Sequence, residues 1–114
     1  MNSYNGFTPK QRMEGDRIIK EAINKGILPK LSECECKYCG QSKGILHYHC
    51  EDYSPENILN DAIPVCWRCH MMIHTRFRHP LSYRLYFWEI NQGIRYSAVY
   101  KGNDWDKLNF HYID

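Results

Sequence analysis

The sequence predicts a small α+β domain, and three observations lead to that class. A stretch with helical apolar periodicity follows Thr8, two short apolar runs suited to strands lie between residues 45 and 65, and a Cys-x-x-Cys pair flanks them on each side. The chain has 114 residues, 43% of them hydrophobic, which suits one domain (residues 1–114) with a modest core. A small domain buries a smaller share of its surface, and a bound metal often helps to stabilise it.

The composition excludes several classes of protein. A net charge of +2 is too mild to indicate a nucleic-acid partner by itself. The chain lacks a run of 18 apolar residues and a basic, then apolar, N-terminal stretch, so we expect no membrane span, no secretory signal and a cytoplasmic location. Six cysteines in such a chain favour metal binding over disulfides.

The first element is a helix predicted over residues 8–26. Thr8 is a suitable N-cap, Pro9 fits the first helical position, and Gly26 provides a stop, with Pro29 just beyond. We expect a structural helix that packs on the core, although its lysines and arginines could instead contact phosphates. The apolar stripe comprises Met13, Ile18, Ile19, Ala22 and Ile23.

The centre of the domain is predicted to be a strand, a loop, a second strand and a helix. Residues 45–50 alternate on a strand, with Ile45, His47 and His49 on one face and Leu46, Tyr48 and Cys50 on the other. Residues 51–61 are predicted to be a loop and residues 62–65 a short strand, near a sheet edge because it contains Pro64. A helix is expected from about residue 67 to residue 76.

The C-terminal region, residues 80–114, is predicted to form a helix and an aromatic tail. Pro80 can begin a helix that ends at Gly93. The remainder lacks a clear period and is interpreted as an extended tail that packs on the domain. Its aromatic side chains either fill a small core or present a contact surface.

Two cysteine pairs predict a structural zinc site. Cys36-x2-Cys39 and Cys66-x2-Cys69 each offer two thiolates from one turn, and together they complete a tetrahedral four-sulfur shell. The alternative is a set of free buried cysteines, which does not account for two matched pairs. Since four thiolates leave no open position on zinc, this ion would hold the fold and not catalyse a reaction.

Histidines near these pairs suggest a second metal or catalytic site. His70 and His74 are spaced i,i+4, so they project from one helix face. His47 and His49 lie on the strand that the zinc site would hold beside that helix, and all four could converge on one divalent ion. The alternative is that they are surface or half-buried histidines without a shared role.

The combined pattern resembles a known family. The segments "CKYCG", "LHYHCEDYSPEN" and "IPVCWRCHMMIH", within residues 34–76, resemble the HNH endonuclease superfamily, which has the ββα-metal fold, and in particular the zinc-containing HNH-like proteins of phages and prophages. The resemblance implies a zinc-bound ββα core and a metal-dependent DNA endonuclease that hydrolyses phosphodiester bonds. It also implies a second divalent ion, Mg²⁺ or similar, DNA as partner, and the host cell cytoplasm as location if a phage encodes the chain.

The resemblance assigns roles residue by residue. His49 falls on the first of the family's paired positions, a metal ligand, and Cys50 on the second, the general base. A thiol is a poor base toward water, which leaves two interpretations. Either His49 is the base and His47 joins the metal, or the chain is a catalytically impaired module. The position that orients the base falls on Asn60 or Asp61, and the helix ligands fall on His70 and His74.

Several arginines are candidates for contacting DNA phosphates. They follow or lie within the metal-binding helix, although a solvated face is an equally good interpretation. The alternative function is an impaired HNH-fold zinc module that binds nucleic acid or inhibits a host protein. A homodimer would suit double-strand cutting. The candidate arginines are Arg68, Arg76, Arg78 and Arg84, with Arg95 further along the chain.

Overall fold

The computed structural model describes residues 1–97, so most of the predicted aromatic tail lies outside the described residues. Residues 1–97 form a small mixed α+β domain with four α-helices and a two-stranded antiparallel sheet. None of the helices in this range has the length and apolar character needed to cross a bilayer. The elements are α1 (Pro9–Asn24), β1 (Leu46–His49), α2 (Ile58–Asp61), β2 (Ile63–Cys66), α3 (Trp67–Thr75) and α4 (Pro80–Asn91), with a 3-10 turn at Leu31–Glu33.

Helix α1 begins where the sequence predicts. The Thr8 hydroxyl accepts the backbone N–H of Gln11 at 3.2 Å, and the Gln11 side chain accepts the N–H of Thr8 at 2.8 Å, which completes a capping box. Gly15 is buried, and a Cβ added there would lie 2.6 Å from Ile58 Cδ1. This glycine allows α1 to approach α2 closely. Met13, expected in the apolar stripe, is instead 61% exposed.

The sheet passes directly into the helix that follows it. β1 pairs antiparallel with β2, in a register that places Leu46 opposite Cys66 and His49 opposite Ile63. Cys66 is both the last residue of β2 and the N-cap of α3. Helix α3 packs against both strands and against α4. The order strand, strand, helix that the sequence predicts for this region is therefore present.

The segment between the strands is more ordered than the predicted loop. It contains the short helix α2, which begins after a turn in which the Ser54 carbonyl accepts the N–H groups of Asn57 and Ile58. Ile58 is fully buried, and this burial anchors the helix. The sequence interpretation missed α2 because a single helical turn carries too few residues to show a period.

The described part of the chain has two apolar clusters. One surrounds the four cysteines of the two Cys-x-x-Cys pairs and includes Val65, Met72, Tyr86 and Ile90. The other joins the N-terminal segment, α1 and the segment after β1, and it consists of Tyr4, Ile19, Cys50, Tyr53 and Ile58.

Candidate metal centres

The four cysteines predicted to bind zinc come together. Their sulfur atoms all lie within 4.8 Å of one another, and all four side chains are buried. Cys34, two residues before Cys36, stays outside this group, and its thiol donates to the Lys30 carbonyl at 3.3 Å. The four are Cys36, Cys39, Cys66 and Cys69, as expected from the spacing.

Local backbone hydrogen bonds shape each half of this cysteine cluster. The Cys36 carbonyl accepts the N–H of Gly40 at 2.9 Å, and Gly40 has a φ of 77°, which a glycine adopts at little cost. The N–H of Lys37 donates to the Pro64 carbonyl at 2.9 Å and ties this turn to β2. On the other half, Cys66 Sγ accepts the N–H of Cys69 at 3.4 Å. The cluster therefore joins the turn, the sheet and α3.

The electrostatics of the cluster suit a cation. Hydrogen bonds from Cys66 and Cys69 hold the pKa of the Cys36 thiol far below its usual range. The bond to Cys36 raises the pKa of Cys66 to about 12, and it raises the pKa of Cys69 as well. One thiolate is thus stabilised while its neighbours resist ionisation, because further negative charge has no counterion. A thiophilic cation such as zinc would supply the positive charge that the thiolates need, and the four sulfurs would complete its coordination shell.

Three histidines form a second group of potential ligands, the histidine trio: His49 on β1 and His70 and His74 on α3. Their ligand atoms all lie within 4.8 Å of one another, and the Nε2 atoms of His70 and His74 are 2.9 Å apart. His47, also predicted to join, stays outside the group, although its ring centre is 5.3 Å from that of His70. It lies two residues, roughly 7 Å, back along the strand from His49.

Burial keeps the trio neutral. It lowers the pKa of His70 to about 3 and that of His74 to about 4, with a further contribution from the neighbouring imidazoles. Burial also lowers the pKa of His49. Neutral imidazole is the form that ligates metal ions. In addition, His49 Nδ1 is buried and has no hydrogen-bond partner, so these residues fit a bound ion.

No family model, curated protein or solved structure matches this chain. The resemblance of residues 34–76 to the HNH superfamily therefore stays a prediction.

Glu51 accepts hydrogen bonds from several side chains beside the histidine trio. Its carboxylate accepts the Tyr4 hydroxyl at 2.5 Å and the Asn5 amide at 3.0 Å, and it also contacts His49 Nε2 and the Arg76 guanidinium. Burial raises the pKa of Glu51, but these hydrogen bonds outweigh it and bring the value to about 2. Sequence reasoning missed Glu51, although it lies two residues after His49. It also missed Tyr4 and Asn5, which carry no motif.

Cys50 does not reach the histidine trio. The side chain is 1% exposed and packs in the second apolar cluster. Burial, followed by nearby carboxylates, raises the pKa of its thiol to about 12. The position that the family resemblance assigns to the general base therefore holds a neutral, buried thiol.

Asn60 and Asp61, expected to orient the base, have other surroundings. Asp61 Oδ2 accepts the backbone N–H groups of Glu51 and Asp52, at 2.5 and 2.9 Å, and so fixes the turn after β1. Asn60 is exposed. Both residues line a cleft of about 520 Å³ together with His49, Glu51 and Arg76.

The candidate arginines divide into two groups. Arg76 lines the cleft, and Arg78 and Arg84 are exposed, so these three remain candidates for contacting phosphates. Arg68 is only 8% exposed and donates to the Ser97 carbonyl. Arg95 donates to the Cys39 carbonyl at 2.8 Å. Arg68 therefore does not face solvent as a phosphate-binding rim requires, and Arg95 supports the backbone at the cysteine cluster.

Proposed function

We propose that this protein is an HNH-like, metal-dependent DNA endonuclease that hydrolyses phosphodiester bonds, with a structural zinc ion at the cysteine cluster. The observation that carries the proposal is the convergence of one imidazole from β1 and two from α3. The order of hairpin and helix, with a four-cysteine cluster at their junction, agrees with what the ββα-metal resemblance implies.

The donor set limits the choice of ion. Three neutral imidazoles suit Zn²⁺, Ni²⁺, Cu²⁺ or Fe²⁺ better than Mg²⁺, which prefers carboxylate and water oxygens. Three protein ligands leave room on a divalent ion for water and a phosphate oxygen. An ion held there would lower the pKa of a bound water and neutralise charge on the scissile phosphate.

The chain's own side chains would position the substrate. Arg76 lines the cleft beside His49, and the N–H groups of its guanidinium that are not bonded to Glu51 or to the Ile73 carbonyl would donate to a phosphate oxygen. Arg78 and Arg84 are exposed on the same stretch of chain and would add sequence-independent contacts with the DNA backbone. Nothing in this set reads base edges, which predicts weak sequence preference.

A plasmid-cleavage assay tests the proposal. Zinc-loaded protein is incubated with supercoiled plasmid and Ni²⁺, Mn²⁺ or Mg²⁺, and EDTA serves as the control. We expect nicked or linear product that disappears in His74→Ala but persists in the matched His79→Ala variant, which lies outside the trio. Equal cleavage by His74→Ala, or none by the natural chain with any ion, contradicts the proposal.

A second candidate function is favoured by the burial of Cys50. With no base at the expected position, the fold could bind nucleic acid, or a protein of a host cell, without cleaving DNA. Binding of a labelled duplex that weakens with salt, together with no cleavage under any metal, would support a nucleic-acid-binding module. Size-exclusion chromatography with light scattering would test for the homodimer that double-strand cutting favours.

A further inference from the structure

We propose that Glu51 is the positioning residue for His49, and that the N-terminal turn holds Glu51 in place through Tyr4 and Asn5. This inference rests on the proposed function of the histidine trio as a metal site. The carboxylate that orients this metal ligand is Glu51, and not Asn60 or Asp61, which the family resemblance assigns to orienting the base.

The two ring nitrogens of His49 have different surroundings. Nε2 faces the Glu51 carboxylate, whereas Nδ1 is buried and has no hydrogen-bond partner. A neutral imidazole has one N–H group, and an ionised carboxylate can only accept. The proton therefore lies on Nε2, and Nδ1 keeps its lone pair. A carboxylate that fixes the tautomer of a histidine in this way is a recurrent support for metal ligands.

Several neighbouring groups hold Glu51 in place. Its backbone N–H donates to Asp61 Oδ2, which sets the turn after β1. Its carboxylate receives the Tyr4 hydroxyl, the Asn5 amide and the Arg76 guanidinium. Donors on several sides restrain the carboxylate, although its side chain is 43% exposed. A mobile surface glutamate would not fix an imidazole.

The N-terminal turn, residues 4–7, forms part of the support of Glu51. Tyr4 and Phe7 exchange backbone hydrogen bonds of 3.0 and 2.9 Å, and the residues between them have positive φ, 51° at Asn5 and 81° at Gly6. The turn therefore has a defined shape that presents Tyr4 and Asn5 together. The Tyr4 ring is also 4.8 Å from the His74 ring, centre to centre. A segment far from the motifs thus forms one wall of the trio.

A purely structural role for Glu51 is the competing explanation. The ion pair between Glu51 and Arg76 joins the turn after β1 to the end of α3 and would stabilise the fold without any effect on His49. The two explanations differ in one measurable property. Only the positioning role controls which nitrogen of His49 carries the proton.

The test measures tautomers and metal affinity in the zinc-loaded full chain. Long-range ¹H–¹⁵N NMR spectra report the protonated nitrogen of His49, and calorimetry reports Ni²⁺ binding. The variants are Glu51→Ala, Glu51→Gln and Tyr4→Phe, which removes one hydroxyl and keeps the ring. Glu56→Gln removes a carboxylate from an exposed position outside the trio and is the charge-matched control.

The natural chain should show His49 with its proton on Nε2. Glu51→Ala should mix the tautomers and weaken Ni²⁺ binding about 10- to 100-fold, whereas Glu51→Gln, which keeps an oxygen acceptor, should lose less. Tyr4→Phe should lose less Ni²⁺ affinity than Glu51→Gln, and Glu56→Gln should keep the affinity of the natural chain.

Three results would overturn the inference. The first is a proton on Nδ1 of His49 in the natural chain. The second is unchanged Ni²⁺ affinity in a folded Glu51→Ala protein. The third, which decides if Glu51→Ala does not fold, is a Tyr4→Phe protein with unchanged affinity and tautomer. If the tautomer and affinity behave as expected but plasmid stays intact, the inference stands and the proposed nuclease function fails.

Discussion

Acid should destabilise this protein through the histidine trio well before the carboxylates titrate. Burial lowers the pKa of His70 to about 3 and that of His74 to about 4, against 6.5 in an unfolded chain. Below pH 6.5 the unfolded chain therefore binds protons that the folded protein excludes. The stabilisation that neutral His70 and His74 provide is complete above pH 6.5, and it is lost progressively as the pH falls toward 4 and 3.

The loss amounts to about 1.4 kcal/mol per pH unit for each histidine within that window. Between pH 7.5 and pH 5, each should contribute about 2 kcal/mol, and the two together about 4 kcal/mol, of lost unfolding free energy. A domain of this size has a total of roughly 5–15 kcal/mol, so the effect is a large share of the stability.

Urea denaturation of zinc-loaded protein at several pH values measures this effect. The matched variant is His70→Gln, which removes one titrating group and keeps the cysteine cluster. Because acid also protonates the zinc thiolates in both proteins, only the difference between them reports the histidine. We expect the natural chain to lose about 2 kcal/mol more than His70→Gln between pH 7.5 and pH 5. Equal losses, or a pKa near 6.5 for His70 by NMR titration, would refute the reasoning.

Three further predictions follow from the packing and the cysteine cluster. Gly15→Ala should lower the unfolding free energy by about 1–3 kcal/mol, because the added Cβ would lie 2.6 Å from a buried side chain; an unchanged urea midpoint would contradict this. Cys66→Ser should purify with less zinc than the natural chain and with a weakened fold, whereas Cys34→Ser should keep the zinc content of the natural chain in a colorimetric zinc assay. Cys50→His should not raise plasmid cleavage and should lower the melting temperature, because the imidazole would enter a buried apolar cluster; a stable variant with new activity would show that this side chain can reach the site.

The elements that the sequence predicts well are those with a short-range physical cause. Thr8 and Pro9 define the start of α1 through a local cap, and paired cysteines two residues apart predict a turn that can bind an ion. The i,i+4 spacing of His70 and His74 predicts their shared face in the same way. Strand alternation places Cys50 on the face opposite His49, so the sequence also indicates that the Cys50 thiol points away from the histidines.

The features that the sequence did not predict depend on contacts between distant parts of the chain. Tyr4 and Glu51 are separated by 47 positions, and no local pattern links them. Arg68 is one of the sequence candidates for contacting DNA phosphates, but it is buried and donates to the carbonyl of Ser97, in the chain after α4. Such pairings arise from tertiary packing, which a period or spacing in one segment does not encode.

The double position of Cys66, at the end of β2 and the start of α3, has a consequence for how the protein would acquire its ions. The sulfur that would anchor the first ion also fixes where the strand stops and at what angle the helix leaves it. His70 and His74 lie on that helix, so the junction at Cys66 also sets their distance from His49. Zinc should therefore bind to the four thiolates before an ion binds to the three imidazoles. A chelator that removes the zinc should also abolish metal binding at the imidazoles, even if the chelator does not itself remove an ion from them.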